Sequence, residues 1–404
     1  MKKQIKQNNV IKIATTILLF LSINLNAEYY WSFIDELVNN IKQGNLESMK
    51  ILEEHLFGCI DGMKEDTFLQ TIEYINKKIN FNFNATNEYG YTFLMRASRI
   101  GSLKIVKSLI GYGADVNAKN NDGETVLMLT SNLDIIKLLI NNGADINAKS
   151  NNGGTALMWA SGLLSGGNLE RIKLLIDNGA DINAKDDYGK TALMRVSSDG
   201  NLEIVKLLVD NGADINAKSK NGGTALTVVD YKNWEIVKLL IDNGADVNAK
   251  DNSMFGTSPL IIRFIDNINN GIYNDEYSEI LEKIKFLIDK GADVNAKDGI
   301  GSSVLHRTIY ILDKQRHHSG LVLEIAKLLI DNGANINFKL QSNGYSPLMY
   351  AAIYNDLDIV KLLVQNGANV NAKSKNGDTA LTFAKRKGSS GNEVVKFLIS
   401  CGAK

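Results

Sequence analysis

The sequence predicts an all-α solenoid of helix-turn-helix units with hairpin-like β-turn fingers, each unit stacked on the next. Three observations predict it. A short phrase, Gly113-Ala114-Asp115-Val116-Asn117, returns with small changes at Gly143, Gly179, Gly212, Gly244, Gly291, Gly333 and Gly367, and Gly402-Ala403 closes the chain. Successive spacings are 30, 36, 33, 32, 47, 42, 34 and 35 residues, a period near 33 that marks a repeat architecture. Each interval holds two short apolar-periodic stretches, and isolated helices below about 12–15 residues are marginal in water, so neighbouring copies must supply the missing surface. The composition agrees: 44% hydrophobic, 34 Gly and only two Pro describe a globular chain with regular turns, neither disordered nor collagen-like.

The N-terminus reads as a secretory signal peptide. Lys2, Lys3, Lys6 and Lys12 precede an apolar run from Ile13 to Ile23, and Ala27 stands before acidic Glu28. Eleven apolar residues are few for a membrane span. Residues 1–27 are therefore expected to be removed, although Leu25 stands where a small residue is preferred and leaves the cleavage position open. Loss of four lysines leaves 41 basic against 45 acidic side chains. The expected location is outside the cytoplasm, periplasmic or secreted, with no stable membrane insertion after removal of the leader.

Residues 28–80 lack the full phrase. Phe33 to Lys42, Gly44-Asn45-Leu46-Glu47 and the apolar spacing through Leu56 echo the two helices of a unit, and a further helix is expected over Asp66 to Lys78. This region is expected to cap one end of the stack, as repeat arrays require.

One unit, Asn183 to Asn216, shows the physical logic. Asp186-Asp187-Tyr188-Gly189 favours a tight turn at the tip of a finger. Thr191 can cap the first turn of a helix continued by Ala192, Leu193 and Met194. A second helix is expected from Leu202 to Asn211, with Leu202, Val205, Leu208 and Val209 forming its apolar stripe, and Gly212 suits the left-handed position that ends it.

These units resemble ankyrin repeats, whose pattern joins an Asp/Asn-Gly turn, a Thr-Pro-Leu-His-x-Ala helix start and a Gly-Ala-x-x-Asn ending. The resemblance covers about residues 81–404 as nine repeats and, with the leader, implies an exported bacterial ankyrin-repeat protein. The Thr position holds Thr92, Thr125, Thr155, Thr191, Thr224, Ser258, Ser303, Ser346 and Thr379, and the following Leu is kept throughout. The departures are systematic. Pro survives only at Pro259 and Pro347 and the motif His only at His306, with Met95, Met128, Met158, Met194 and Met349 in its place. Met fills space without holding one geometry, so a softer interior is expected.

The two long spacings place insertions near 267–278 and 311–321, between the two helices of a unit. The first includes Asp275 and Glu276, the second Lys314, Arg316, His317 and His318. Pairing of these opposite charges across the layer boundary is expected; a binding patch and a metal or small-ligand site are the alternatives.

Repeats supply an internal comparison, because positions that vary from copy to copy are free to serve a partner. The residue before the turn Gly runs Tyr89, Asp122, Asn152, Tyr188, Asn221, Phe255, Ile300, Asn343 and Asn376. The residue two after the fixed Leu runs Arg96, Leu129, Trp159, Arg195, Val228, Ile262, Arg307, Tyr350 and Phe383. The family resemblance implies that both series line the concave face that grips partners. Tyr, Trp and Arg dominate binding energies most often, which selects Tyr89, Arg96, Trp159, Tyr188, Arg195 and Tyr350 as partner-binding residues. Trp159, Tyr350 and Phe383 could equally fill space between neighbouring first helices. The Lys ladder from Lys119 to Lys373 runs beside an Asp ladder from Asp115 to Asp293, which reads as a solvated face with compensating charges.

Other classes find little support. Lys plus Arg and Asp plus Glu are both 45, so no basic surplus exists to neutralise nucleic acid. Four His and two Cys stand in no metal-protease, nucleophile or phosphate-loop signature, so neither an enzyme nor a cofactor is expected. Cys59 and Cys401 lie at opposite ends of the array and are not expected to bridge within one molecule. The expected function is a scaffold of the bacterial envelope that binds a partner protein. The alternative is a secreted effector that binds a host protein.

Overall fold

A computed structural model describes residues 27–60, 62–162, 169–230, 232–250, 260–269, 277–314, 319–386 and 392–404. The expected leader lies, apart from Ala27, outside the described residues. So do the centres of both insertions, with Asp275, Glu276, His317 and His318. The chain divides into two units, Met1–Ala213 and Asp214–Lys404.

In the first unit, α1 (Ala27–Lys42), α2 (Leu46–Cys59) and α3 (Glu65–Lys78) precede four helix pairs. These are α4 (Phe93–Ile100) with α5 (Leu103–Gly111), α6 (Val126–Leu129) with α7 (Leu133–Asn141), α8 (Ala156–Ala160) with α9 (Leu169–Asp177), and α10 (Ala192–Asp199) with α11 (Leu202–Asp210). The second unit holds five pairs: α12 (Ala225–Val228) with α13 (Trp234–Asp242), α14 (Leu260–Asn269) with α15 (Tyr277–Asp289), α16 (Val304–Lys314) with α17 (Ser319–Asp331), α18 (Pro347–Tyr354) with α19 (Leu357–Gln365), and α20 (Ala380–Arg386) with α21 (Asn392–Ser400). No strand occurs among the described residues; the fingers show only the bridges Thr86 to Thr92 and Lys297 to Ser303. Part of each insertion lengthens the flanking helices of its pair, so α15, α16 and α17 run to 11–13 residues.

The specimen unit forms as its chemistry dictates. Thr191 Oγ1 accepts the Met194 N–H at 3.3 Å and starts α10. Asn201 Oδ1 accepts the Ile204 N–H at 3.1 Å and starts α11. Gly212 ends α11 with φ +86°, and the Ala213 N–H reaches back to the Leu208 carbonyl at 3.0 Å. The buried stripe of α11 is Ile204, Val205 and Leu208, whereas Leu202 and Val209 are only partly covered. The expected stripe is thus rotated, because the face turned toward the first helices centres on Ile204 and Val205. Each such aliphatic side chain contributes roughly 1.5–3 kcal/mol on burial.

Stacking is carried by one recurring asparagine. Asn147 Nδ2 donates to the Gly179 carbonyl at 3.0 Å, while its Oδ1 accepts the Asp181 N–H at 2.8 Å. Asp181 Oδ1 accepts the Asn183 N–H at 2.9 Å, which orients the next asparagine. The same double bond runs from Asn84 and Asn117 in the first unit, and from Asn216, Asn248, Asn295, Asn337 and Asn371 in the second. The Asp ladder therefore serves as a set of backbone acceptors. The Lys ladder works in parallel, with Lys119 Nζ on the Lys149 carbonyl at 2.8 Å and Lys339 Nζ on the Lys373 carbonyl at 2.9 Å.

Fingers also join in a row. The Asn121 N–H donates to the Tyr89 carbonyl at 3.1 Å and the Asn151 N–H to the Asp122 carbonyl at 2.9 Å. Gly123 shows why the tip needs glycine: φ is +73°, and a Cβ there would stand 2.7 Å from the Asn151 nitrogen.

Two first helices are cut short, and each is closed by an arginine from the following pair. In the 30-residue interval α6 has four residues, and Arg171 Nη2 donates to the Leu127 and Met128 carbonyls at 3.1 and 3.2 Å. Arg171 stands in α9 where α11 has buried Ile204. Burial lowers its pKa to about 10, so it stays charged at neutral pH. In the second unit α12 also has four residues, and Arg263 Nη1 donates to the Thr227 carbonyl at 2.6 Å.

At the N-terminal end of the first unit, Phe57 stacks on Phe93 at 3.9 Å between centroids. Glu65 at the start of α3 accepts from Ser102 Oγ at 2.5 Å and pairs with Lys104 at 3.2 Å. Tyr30 joins α1 to α3 through Thr71 Oγ1 at 2.9 Å. Gly44 (φ +82°) and Asn45 repeat the geometry of Gly200 and Asn201, so α1 and α2 meet as a first and second helix do.

Asn147→Ala is expected to cost about 1–2 kcal/mol in denaturant unfolding and to speed hydrogen exchange at the Asp181 amide; an unchanged midpoint with full protection would show that the bridge is idle. Arg171→Leu is expected to destabilise by roughly 1–3 kcal/mol, because two helix-end carbonyls lose their donor. A thermal midpoint at or above that of the wild type would refute this.

Candidate functional site

The varying positions gather on the side of each unit formed by fingers and first helices. Tyr89 and Tyr188 occupy finger tips with their rings in solvent, 62% and 68% exposed. Their backbones are fixed: the Tyr89 N–H donates to Asn87 Oδ1 at 3.1 Å and the Tyr188 N–H to Asp186 Oδ1 at 2.9 Å. The rings are thus presented on rigid stalks, which reduces the entropy lost on binding.

Arg195 lies behind the finger of Tyr188. Its Nη2 reaches Asp186 Oδ2 at 2.8 Å, and that carboxylate is buried while Arg195 is one-third exposed. Asp186 therefore ties the finger to the first helix, holding the Tyr188 and Lys190 amides with one oxygen and Arg195 with the other. The second unit repeats the device. Arg307 pairs with buried Asp298, whose other oxygen accepts the Ile300 and Ser302 amides at 3.0 and 2.8 Å. Ile300 is the exposed tip there. Arg307 also reaches Asp266 Oδ1 at 3.6 Å; the expected pairing of Asp275 and Glu276 with Lys314, Arg316, His317 and His318 falls on side chains outside the described ones. Burial raises the Asp266 pKa, and the Arg307 charge partly offsets it.

Trp159 is half-buried and turned back on its own finger, since a Cβ at Gly154 would lie 3.3 Å from its indole nitrogen. Arg96 is half-buried in α4, and burial lowers its pKa, with the Arg99 charge adding to the effect. Ile262 and Phe383 in the same series are buried, so at these two positions the side chain fills the space between first helices.

Tyr350 belongs to the richest part of the second unit. It borders a cleft of about 230 Å³ with Ile300, His306, Arg307, Tyr310 and Leu340. His306 lies beneath it, centroids 5.8 Å apart. Ser303 Oγ stands 2.7 Å from His306 Nδ1, and the Tyr345 carbonyl 3.2 Å from Nε2. The carbonyl can only accept, so Nε2 carries the proton and Nδ1 accepts from Ser303. At three other caps the backbone N–H donates to the side chain three residues on: Thr227 Oγ1 at 2.8 Å for Thr224, Thr382 Oγ1 at 3.3 Å for Thr379, and Met349 Sδ at 3.5 Å for Ser346. Burial raises the Tyr350 pKa, partly offset by its bond to Asn343.

The structure thus brings Tyr188 and Arg195 together through Asp186. It seats Tyr350 among partners that the sequence reading missed, namely Tyr310, Tyr345 and Tyr354. The available signal was an Asp nine residues before an Arg, seen in Asp186 with Arg195 and Asp298 with Arg307. No cluster of three or more potential metal ligands occurs among the described residues.

A family model for ankyrin repeats in three copies matches residues 40–149, 94–186, 157–251 and 317–404. The chain belongs to the ankyrin-repeat family. The match opens at residue 40, earlier than the first full phrase, in line with the repeat-like meeting of α1 and α2. It leaves out residues 252–316, the stretch altered by the first insertion and the approach to the second, although α14, α15 and α16 keep the helix order. No curated protein matches the chain significantly. Ankyrin repeats generally mediate protein–protein interaction, and the family is typically non-enzymatic. No helix among the described residues is long and apolar enough to cross a membrane.

Burial lowers the His306 pKa to about 4, below its ordinary value of 6.5. Between these values the unfolded chain binds a proton that the fold refuses, so stability falls as pH drops from 6.5 toward 4. His306→Gln is expected to flatten the decline of the thermal midpoint between pH 7 and 4.5; parallel declines for variant and wild type would contradict the assignment.

Proposed function

We propose that this ankyrin-repeat protein is an exported scaffold of the bacterial envelope that holds a partner protein against the concave, finger-side face. The observation that carries the reading is the contrast within each unit between polar groups locked into the stack and rings left outside it. Tyr89 and Tyr188 stand in solvent on fingers fixed by Asn87 and Asp186, so contact area is offered without loosening the fold. Arg96, Trp159 and Arg195 lie on the first helices of the same unit, and Tyr350 holds the corresponding position in the second unit. Amphipathic aromatic and guanidinium groups on a rigid support are the type that dominates interface energies. The lysine-rich, apolar N-terminus supports export, with an effector acting on a host protein as the alternative destination.

Affinity capture from the native compartment tests the face. A Tyr188→Ala, Trp159→Ala double variant is expected to retain about a tenth or less of the partner held by the wild type, with its helical circular dichroism unchanged. Equal capture by both would overturn the assignment. Cell fractionation tests the address: mature protein confined to the medium or to host cells would sink the envelope reading.

A further inference from the structure

The second unit carries an aromatic track that ends on the buried ring of Phe383. Tyr310 of α16, Tyr354 and Tyr350 of α18, Tyr345 of the adjoining finger and Phe383 of α20 follow one another across three successive helix pairs. Centroid separations along this order are 6.4, 6.1, 5.7 and 5.0 Å. The Arg386 guanidinium ends the series 5.4 Å from the Phe383 ring. All four tyrosines are partly exposed. In the repeat Asn183 to Asn216 the positions of Tyr310 and Tyr354 hold Ser198 and Asp199, and that of Tyr345 holds Lys190, so stacking by itself places no demand for aromatic residues there.

Ring geometry narrows the occupant. Interplanar angles of 68°, 67° and 63° set most neighbours edge to face, which makes a series of notches rather than a flat platform for stacked bases or sugars. One such notch is the cleft of about 230 Å³ bordered by Tyr310 and Tyr350, with room for one aliphatic side chain or pyrrolidine ring. Charge points the same way. Arg307 is matched by Asp298 and Asp266, and Arg386 by Asp378 at 2.7 Å, so the track is close to neutral and complements an uncharged ligand, not a polyanion. Spacing agrees as well. A polyproline II strand repeats every three residues, roughly 9 Å, and packed helix layers lie about 8–10 Å apart, so one face of such a strand would keep step with successive layers. Its unpaired carbonyls would face tyrosine hydroxyls and the Arg386 guanidinium, the pattern by which aromatic grooves hold proline-rich segments.

We infer that the track from Tyr310 to Phe383 docks an extended, uncharged, proline-rich segment of the partner. This rests on the protein-binding reading of the finger-side face and names the chemistry of what is bound.

Titration calorimetry on the full chain, with a peptide of about 12 residues repeating Pro-Leu-Pro, tests it. Binding is expected in the range of about 10–300 μM, and at least about tenfold weaker for Tyr350→Ala and for Tyr310→Ala. The variant Tyr29→Ala, at an exposed tyrosine of α1, is expected to bind like the wild type. A Gly-Ser peptide of equal length and a chito-oligosaccharide are expected to give no heat. Equal affinity for the Gly-Ser peptide, saturation by the oligosaccharide, no binding of the proline peptide at about 1 mM, or insensitivity to both tyrosine variants would each overturn the inference. Should Tyr350→Ala lose helical signal, Tyr310→Ala decides alone. Peptide failure with capture still lost in the Tyr188→Ala, Trp159→Ala variant would reject the proline-rich ligand and leave the binding face standing.

Discussion

A single asparagine side chain, bonded twice to the backbone of the next layer, is the interaction on which the stack depends. Helices of four to nine residues cannot persist alone, and apolar burial between layers is not directional. The amide supplies the direction: one donor and one acceptor, held against the carbonyl of a glycine and the N–H two residues on, fix where the following layer begins. This explains the Gly-Ala-Asp-Val-Asn phrase as a unit. Glycine ends the helix, Asp orients the asparagine of its own layer, and that asparagine clasps the next.

Irregular layers show how strictly this spacing is kept. The 30-residue interval is followed by one of 36, and the shortened helix α6 is closed by Arg171 from the layer with the extra residues. A guanidinium in a core position is costly to desolvate, yet it satisfies two carbonyls that a missing helical turn would leave open. Arg263 does the same for α12. Variation in helix length is absorbed inside a layer, so the register between layers is undisturbed.

The exposed finger-tip side chains follow from the same division of labour. Side chains that hold a finger, such as Asn87, Asp186 and Asp298, face inward and are saturated by backbone amides. Residues between them have no structural duty and can be Tyr, Ile, Asp or Asn. In the second unit aromatic residues occupy three kinds of position at once, four partly exposed tyrosines in series with the buried ring of Phe383.

Much was legible in the sequence. The period, the capping Thr or Ser, the glycine at helix ends and the finger turns are local, and each is dictated by backbone conformation or by hydrogen bonds within a few residues. Tyr89 and Tyr188 could be placed at tips for the same reason. The contact of Arg307 with Asp266, the burial of Ile262 and Phe383, the rotated stripe of α11 and the closing role of Arg171 could not. Each depends on side chains from another finger, helix or layer, and a repeat pattern records what every copy shares while concealing what one copy does to its neighbour. The sequence by itself determined the layers and which positions are free; only the tertiary structure decided which free side chains meet, because contacts across layers join residues 30 or more apart along the chain.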